Sequence, residues 1–392
     1  MHARQGKLSA LGLLFALSAL LLAASCGGVD SGGTGAVSQG PITGFGSIIV
    51  NGVRFDESAA AIRDDDGATL GRERLQLGVM TRVDAPLPMR VSGTLRAVAT
   101  SVRVSSELIG PVSAVDTTTG SLTVLEQNVL VTPATVFDTA FVTGLASVPV
   151  GAPVEVYGRY DAANARYTAT RIEARPNPSF YKVRAPIATL TPALLTLTIG
   201  GLTIDYSSVP SADKPNAFVG RIVRARLHPM TQSATAIAVA LRSGVEPLPD
   251  DELATIEGRI SAITSTRQFS VNGTPVDAGA ARFPNGETGV VLGARVKVEG
   301  LTLMGVVDAR TVTVEGNEDS TNSEYELHGA IDAIDTNAKT FHLLGVTVDY
   351  SGVVEFSGGT AADLAVGKRV EVSGTLSSSG SSIKAREIDF SP

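Results

Sequence analysis

The sequence predicts an all-β protein: five tandem small OB-like five-stranded β-barrels, each with a short helix between strands three and four. Three observations predict it. A Gly-x-x-Val-x-Val-x-Gly phrase begins at Gly151, Gly293 and Gly367, with degraded versions from Gly78 and Gly220, so the leading glycines stand 73, 69, 73 and 74 positions apart. An Ala precedes a β-branched residue by three positions in every copy: Ala99 and Val102, Ala169 and Ile172, Ala236 and Val239, Ala309 and Val312, Ala385 and Ile388. A hairpin turn recurs at Gly52, Gly201, Gly273 and Gly345, with Asn128 at the matching place in the second copy. Asn51-Gly52 and Asn272-Gly273 are strong two-residue hairpin signals.

The last copy shows each element most plainly. Leu327 to Ile334 is a first strand interrupted by Gly329, and such a glycine suggests the sharp bend that a small closing barrel needs. Its counterparts are Gly40, Gly110, Ala185 and Gly258. Thr340 to Leu344 is a second strand, and Val346 to Tyr350 a third with strict alternation. Thr360 to Leu364 has the look of an N-cap followed by one or two helical turns. The Gly367 phrase supplies strand four, its valines on one face, and Ile383 to Phe390 supplies strand five. An Ala and a β-branched residue three apart break the period of two, so strand five needs a β-bulge if both point inward. Three strands, a helix, then two strands is the order of an OB-like barrel.

The repeats fall at residues 40–105, 107–175, 180–243, 253–316 and 325–391. The third diverges most, with Leu227-His228-Pro229 where the second, fourth and fifth carry the second glycine of the phrase. A domain of about 65 residues buries a marginal core, so neighbours are expected to lean on each other as a curved rod or a compact cluster.

Composition narrows the function classes. The net charge is −7, or −9 without Arg4 and Lys7 of the leader, and no basic stripe offsets it, so nucleic acid is not an expected partner. The chain has no Trp and one cysteine, Cys26, which excludes an intrachain disulfide and a cysteine-rich metal site. Arg4 and Lys7 precede an apolar run, Leu8 to Leu22, and then Ala23-Ala24-Ser25-Cys26. Residues 1–25 read as a lipoprotein signal peptide, with Cys26 as the lipid-attachment residue in a sequence that resembles a lipobox, Ala23 standing where Leu is usual. Residues 26–39, rich in Gly, Ser and Thr, read as a flexible tether. Gly27 follows the cysteine in place of the Asp that retains such proteins in the inner membrane, so the expected location is the outer membrane, facing the periplasm or the cell surface.

The stretch Gly40-Pro41-Ile42-Thr43-Gly44-Phe45-Gly46-Ser47-Ile48-Ile49-Val50-Asn51-Gly52-Val53-Arg54-Phe55-Asp56, with the Gly-x-x-Val-x-Val-x-Gly and Ala-x-x-Ile strands, resembles a bacterial family of domains of unknown function, numbered 5666, found in tandem in secreted lipoproteins. The resemblance covers nearly all of residues 40 to 391. It implies a small β-barrel fold and an envelope location, and it brings no catalytic residues.

Candidate sites are few. Asp56, Asp205, Asp277 and Asp349 follow the third strand, with Thr132 in the remaining copy. A row of carboxylates could face a cation, but a residue shared by the copies reads as a cap on the following loop. Asp64, Asp66, Gly67 and Glu73 fall at positions three, five, six and twelve of a calcium loop. Position one is then Ile62, which cannot ligate, so the run reads as a solvated loop and no metal is expected. His328 and His342 lie in strands of the last copy without a third ligand, and His228 stands apart. No Gly-x-Ser-x-Gly, His-Glu-x-x-His or phosphate-loop motif is present. Phe45, Phe55 and Tyr350 could form a binding face on the hairpins, or could be core.

The expected function is therefore a non-enzymatic, lipid-anchored envelope protein without cofactors, a multivalent binding or scaffold module. Its partners are the membrane, through the N-terminal lipid, and an envelope protein or polysaccharide. The alternative is an envelope hydrolase that uses a carboxylate pair in a cleft between adjacent barrels.

Overall fold

A computed structural model describes residues 35–214, 217–229, 235–315 and 324–390. The expected leader and Cys26 lie outside them. So do residues 26–34 of the expected tether, whereas residues 35–39 are not tether but the start of a strand, Gly35–Phe45. The strands fall into segments 1 to 5, residues 35–104, 108–174, 181–243, 253–314 and 325–389.

Segment 5 shows the ring. Tyr325–Asp335 pairs with Thr340–Leu343, which pairs with Val346–Asp349. That third strand runs parallel to Ser382–Asp389, which pairs with Arg369–Leu376, which returns to the first strand. The result is a small closed five-stranded barrel in the order 1-2-3-5-4. Segments 2 and 4 close by the same five pairings. Segments 1 and 3 follow the same order with broken strands, and strand four of segment 1 is split into Met80–Pro86 and Met89–Val91. Strand five of segment 1 is split into Thr94–Val98 and Ser101–Val104, and strand one of segment 3 into Tyr181–Pro186 and Thr189–Thr191.

The repeated glycines have two physical reasons. The leading glycine of each phrase, Gly78, Gly151, Gly220, Gly293 and Gly367, has a φ between +78° and +87°, the left-handed region that costs an L side chain about 1–2 kcal/mol. In that conformation its N–H donates, at 2.8 Å in every copy, to the carbonyl of Ile42, Val112, Ile187, Ile260 or Ile331 in strand one. The second glycine faces the bulge of strand five. A Cβ on Gly158, Gly300 or Gly374 would lie 2.2 to 2.3 Å from the carbonyl oxygen of Thr168, Asp308 or Lys384.

The expected bulge is present, with Thr170, Arg310 and Arg386 each the extra residue between the Ala and the β-branched position. In segment 3 the register corrects the expectation: Leu227 pairs with Ala238 and the bulge is Val239. The inward pair there is therefore Ala238 and Leu241, while Val239 is exposed.

Two further expectations are corrected. Among the described residues no short α-helix links strands three and four. Single 3-10 turns stand there in segments 1, 2, 3 and 5, such as Ala361–Asp363, and segment 4 crosses the gap in turns. In segment 5 the stretch between Glu355–Ser357 and the left-handed Gly367 is too short to repay the cost of nucleating an α-helix. The hairpin turn of segment 2 is Leu125-Glu126, both at positive φ, and Asn128 lies within the strand Gln127–Leu130.

The segments lean on one another as marginal cores require. Ala36 to Gln39 runs parallel to Leu253 to Ile256 of segment 4, and Gly44-Phe45 runs beside Glu326-Leu327 of segment 5. Leu108-Ile109 of segment 2 pairs with Lys182-Val183 of segment 3. Strand edges that would otherwise be open are covered by neighbouring segments. The apolar core follows suit: segments 1 and 5 share one cluster around Phe55 and Phe341, and segments 2 and 3 share another around Leu108 and Ile204. The described residues all fall within one compact unit, so the compact cluster, rather than the rod, is what folds.

Candidate functional site

The contacts between segments concentrate the buried charge of the molecule. Asp65 follows the strand Ala61–Asp64 and reaches segment 3, where its carboxylate lies 3.2 Å from Lys182 Nζ and 3.5 Å from Arg224 Nη1. Asp66 lies 2.5 Å from Arg224 Nη2 and also pairs with Arg226. These basic residues alternate with Val183, Val223, Ala225 and Leu227, all buried in the core, so the strand period of two delivers them to the barrel exterior. Beside them Arg184 holds Glu107 of segment 2 through two bonds, 2.9 and 3.1 Å. Asp65, Arg103, Glu107, Arg184 and Arg224 line a cavity of about 60 Å³ between the segments.

Two more such junctions flank it. Arg74 of segment 1 enters segment 2 and donates to Glu155 at 2.7 Å, Glu173 at 3.1 Å and the Tyr157 hydroxyl at 2.7 Å. Arg159 of segment 2 donates to Glu257 of segment 4 at 2.6 Å, and Arg295 approaches the same oxygen at 2.5 Å. Segment 5 is tied to segment 1 by Arg54, which donates to Glu371 at 2.7 Å and pairs with Glu326.

Electrostatics separates these carboxylates. Burial alone would raise Asp65, but Lys182 and Arg224 outweigh it and hold its pKa below the usual value. Burial is likewise outweighed at Glu155 by Lys182 and Arg74, and at Glu257 by Arg159 and Arg295, so both are lowered. Glu107 is the exception: burial pushes its pKa up despite Arg184.

Asp56, Asp205, Asp277 and Asp349 each accept the backbone N–H two residues on, at 2.7 to 2.9 Å, and Thr132 accepts that of Ala134 at 3.3 Å. They cap loops, as the shared-fold reading expected. The solvated-loop reading of Asp64 to Asp66 is corrected, because Asp65 and Asp66 sit among Lys182, Arg224 and Arg226. Asp64 accepts from the N–H groups of Asp66 and Ala68 and closes its own turn. The three carboxylates lie within 4.8 Å of one another, yet the charge they face is already supplied by those basic side chains. Phe55 and Tyr350 are buried and belong to the core, and Phe45 is half-buried against it, so they form no common exposed face. His328 and His342 lie on neighbouring strands but join no group of three potential ligands among the described residues.

Sequence reasoning missed the junctions. Their only local trace was basic residues on the outward face of strands, a pattern that solvated strands share.

Among solved structures, one titled "drosophila Unr CSD456" is similar at 12% identity with a TM-score of 0.14, over 54% of this chain and 98% of its own. No curated protein matches the chain. The family model described as Domain of unknown function (DUF5666) matches residues 109–173, 257–313 and 328–389, which are the three segments whose five strands close without a break. Segments 2, 4 and 5 are thus three tandem copies of the domain of unknown function that this family model describes.

Proposed function

We propose that the chain is a non-enzymatic, lipid-anchored scaffold of the cell envelope, in which all five segments are OB-like barrels fixed into one body. The observation that supports this reading is where the hairpin tips and buried charges go. OB-like barrels commonly present the second and third strands to ligands. Here Asn51 at the tip of the first hairpin donates to the carbonyls of Gln39 and Thr255, the second of these in segment 4. The Asn272 carbonyl at the segment 4 tip accepts from Arg184 of segment 3. Gln127, beside the segment 2 tip, donates to Ile199 of segment 3 at 2.8 Å. Surfaces that could face a ligand instead face a neighbouring barrel, which favours a rigid platform over avidity along a rod. The partner would be an envelope protein or polysaccharide on the remaining outer surface.

The alternative, an envelope hydrolase, needs an acid and a base around a substrate-sized space. Glu107 and Asp65 have pKa values pushed apart, as such a pair requires. The cavity they line is about 60 Å³, well below the ~300 Å³ from which ligand pockets usually start. Each carboxylate is also already engaged by a basic side chain.

Two experiments test the proposal. In cells, Cys26→Ala should move the protein from the membrane fraction to the soluble one, and a form that still floats with membranes refutes the anchor. A pull-down from envelope extract with the purified mature chain should retain a stoichiometric partner. Turnover of an envelope polymer that is lost in Glu107→Gln would replace the scaffold reading with the enzyme.

A further inference from the structure

We propose that one end of the molecule rests on the lipid surface through two apolar hairpin tips, beside the point where the chain leaves towards Cys26. The inference rests on the lipid-anchor reading above. Gly35 pairs with Pro86, the last residue of the first half of strand four in segment 1, so the described chain starts beside the base of a hairpin. That hairpin pairs Met89 with Arg96 and Val91 with Thr94. Leu95 and Ala97 turn towards the core, and the opposite face carries Leu87, Met89, Val91 and Val98, exposed by 42, 71, 46 and 56%. No described residue covers them.

The first strand also runs parallel to segment 4, where Leu253 pairs with Leu301. The start of both first strands and the end of both fourth strands therefore share one end of the sheet. The segment 4 hairpin at that end presents Leu303 and Met304, both exposed. Two tips with large apolar side chains thus flank one chain exit.

Reach and charge identify the occupant. Nine residue steps separate Cys26 from Gly35, at most about 32 Å of chain, so a lipid on Cys26 keeps this end close to the bilayer. At the segment 1 tip residues 85–100 hold Arg90 and Arg96 and no acidic residue, whereas Asp250 at the segment 4 tip and Glu252 beside Gly35 are acidic, so the segment 1 tip is the one that meets anionic headgroups. Apolar side chains beside arginines suit the headgroup boundary of an anionic bilayer. The contact would fix the orientation of the scaffold on a surface to which the lipid already tethers it.

The sole cysteine and the absence of Trp make a direct test available. The mature chain carrying Met89→Trp is coupled through Cys26 to a maleimide lipid in phosphatidylethanolamine–phosphatidylglycerol vesicles. The comparison is Leu194→Trp, at a site of similar exposure, 70%, in segment 3, which makes no strand pairing with Gly35–Phe45. Indole emission of the Met89→Trp chain should shift to the blue and be quenched severalfold more by bromolipid than that of the Leu194→Trp chain. Equal emission and quenching in the two variants overturns the proposal. A blue shift of the Met89→Trp chain that appears without vesicles and grows with protein concentration also overturns it, in favour of a second copy of the chain. Coupling is chemical, so neither result depends on whether cells lipidate Cys26.

Discussion

Replacing Glu257 with Gln should destabilise the chain far more than loss of a surface ion pair does. The side chain of Glu257 sits between Arg159, which is 3% exposed, and Arg295, both within 2.6 Å of one oxygen. Gln keeps the shape and one acceptor but removes the negative charge that the buried Arg159 and the half-buried Arg295 share. Breaking such a pair costs about 3–5 kcal/mol. The exposed pair Arg386–Glu324, with side chains 69 and 47% exposed, sets the contrast, since pairs of that kind contribute about 0–1 kcal/mol. Urea unfolding followed by far-ultraviolet circular dichroism reads both values. Glu257→Gln should lower the midpoint well beyond Glu324→Gln, with the loss beginning in segments 2 and 4. Equal, sub-kilocalorie effects from the two substitutions would show that the buried junction does not hold the segments together.

Other outcomes follow from the same geometry. Gly374→Ala should cost more than about 2 kcal/mol, because the new methyl meets the Lys384 carbonyl oxygen at 2.2 Å, whereas Gly367→Ala meets nothing and should cost about 1–2 kcal/mol from its φ alone; thermal melts rank them. Phe55→Ala should lose about 3–5 kcal/mol as a cavity in the core shared by segments 1 and 5, measured by the same melts. Because the folded pKa of Glu257 is lowered, its contribution is present above its ordinary value of 4.5 and is lost as pH falls through the folded value. The stability gap between the native chain and Glu257→Gln should therefore narrow on acidification below about pH 4.5, as melts across pH will show. Glu107, raised by burial, titrates with the opposite sign, so the native chain should gain relative to Glu107→Gln as pH falls.

Much of the barrel was legible because its determinants are local. Left-handed glycines, the period-two valines of Arg369–Leu376 and the Asn-Gly turns each act within a few residues. Expectation and structure part where a local signal is replaced. Leu125-Glu126 adopts the turn without glycine, and segment 3 lacks the second glycine, so nothing in its sequence marks the register. Junction residues were illegible for another reason. Asp65 meets Lys182 across 117 positions and Arg54 meets Glu371 across 317, so each looks like a solvated charge until the segments are assembled.

Small-angle X-ray scattering on the chain from residue 26 tests most directly whether the repeats form one body. A compact unit of about 360 residues should give a radius of gyration near 20 Å, slightly more with its N-terminal extension. Five barrels of about 28 Å diameter strung end to end would give about 40 Å. A value near the first is the result expected from shared strand edges and buried charge; a value near the second would contradict it.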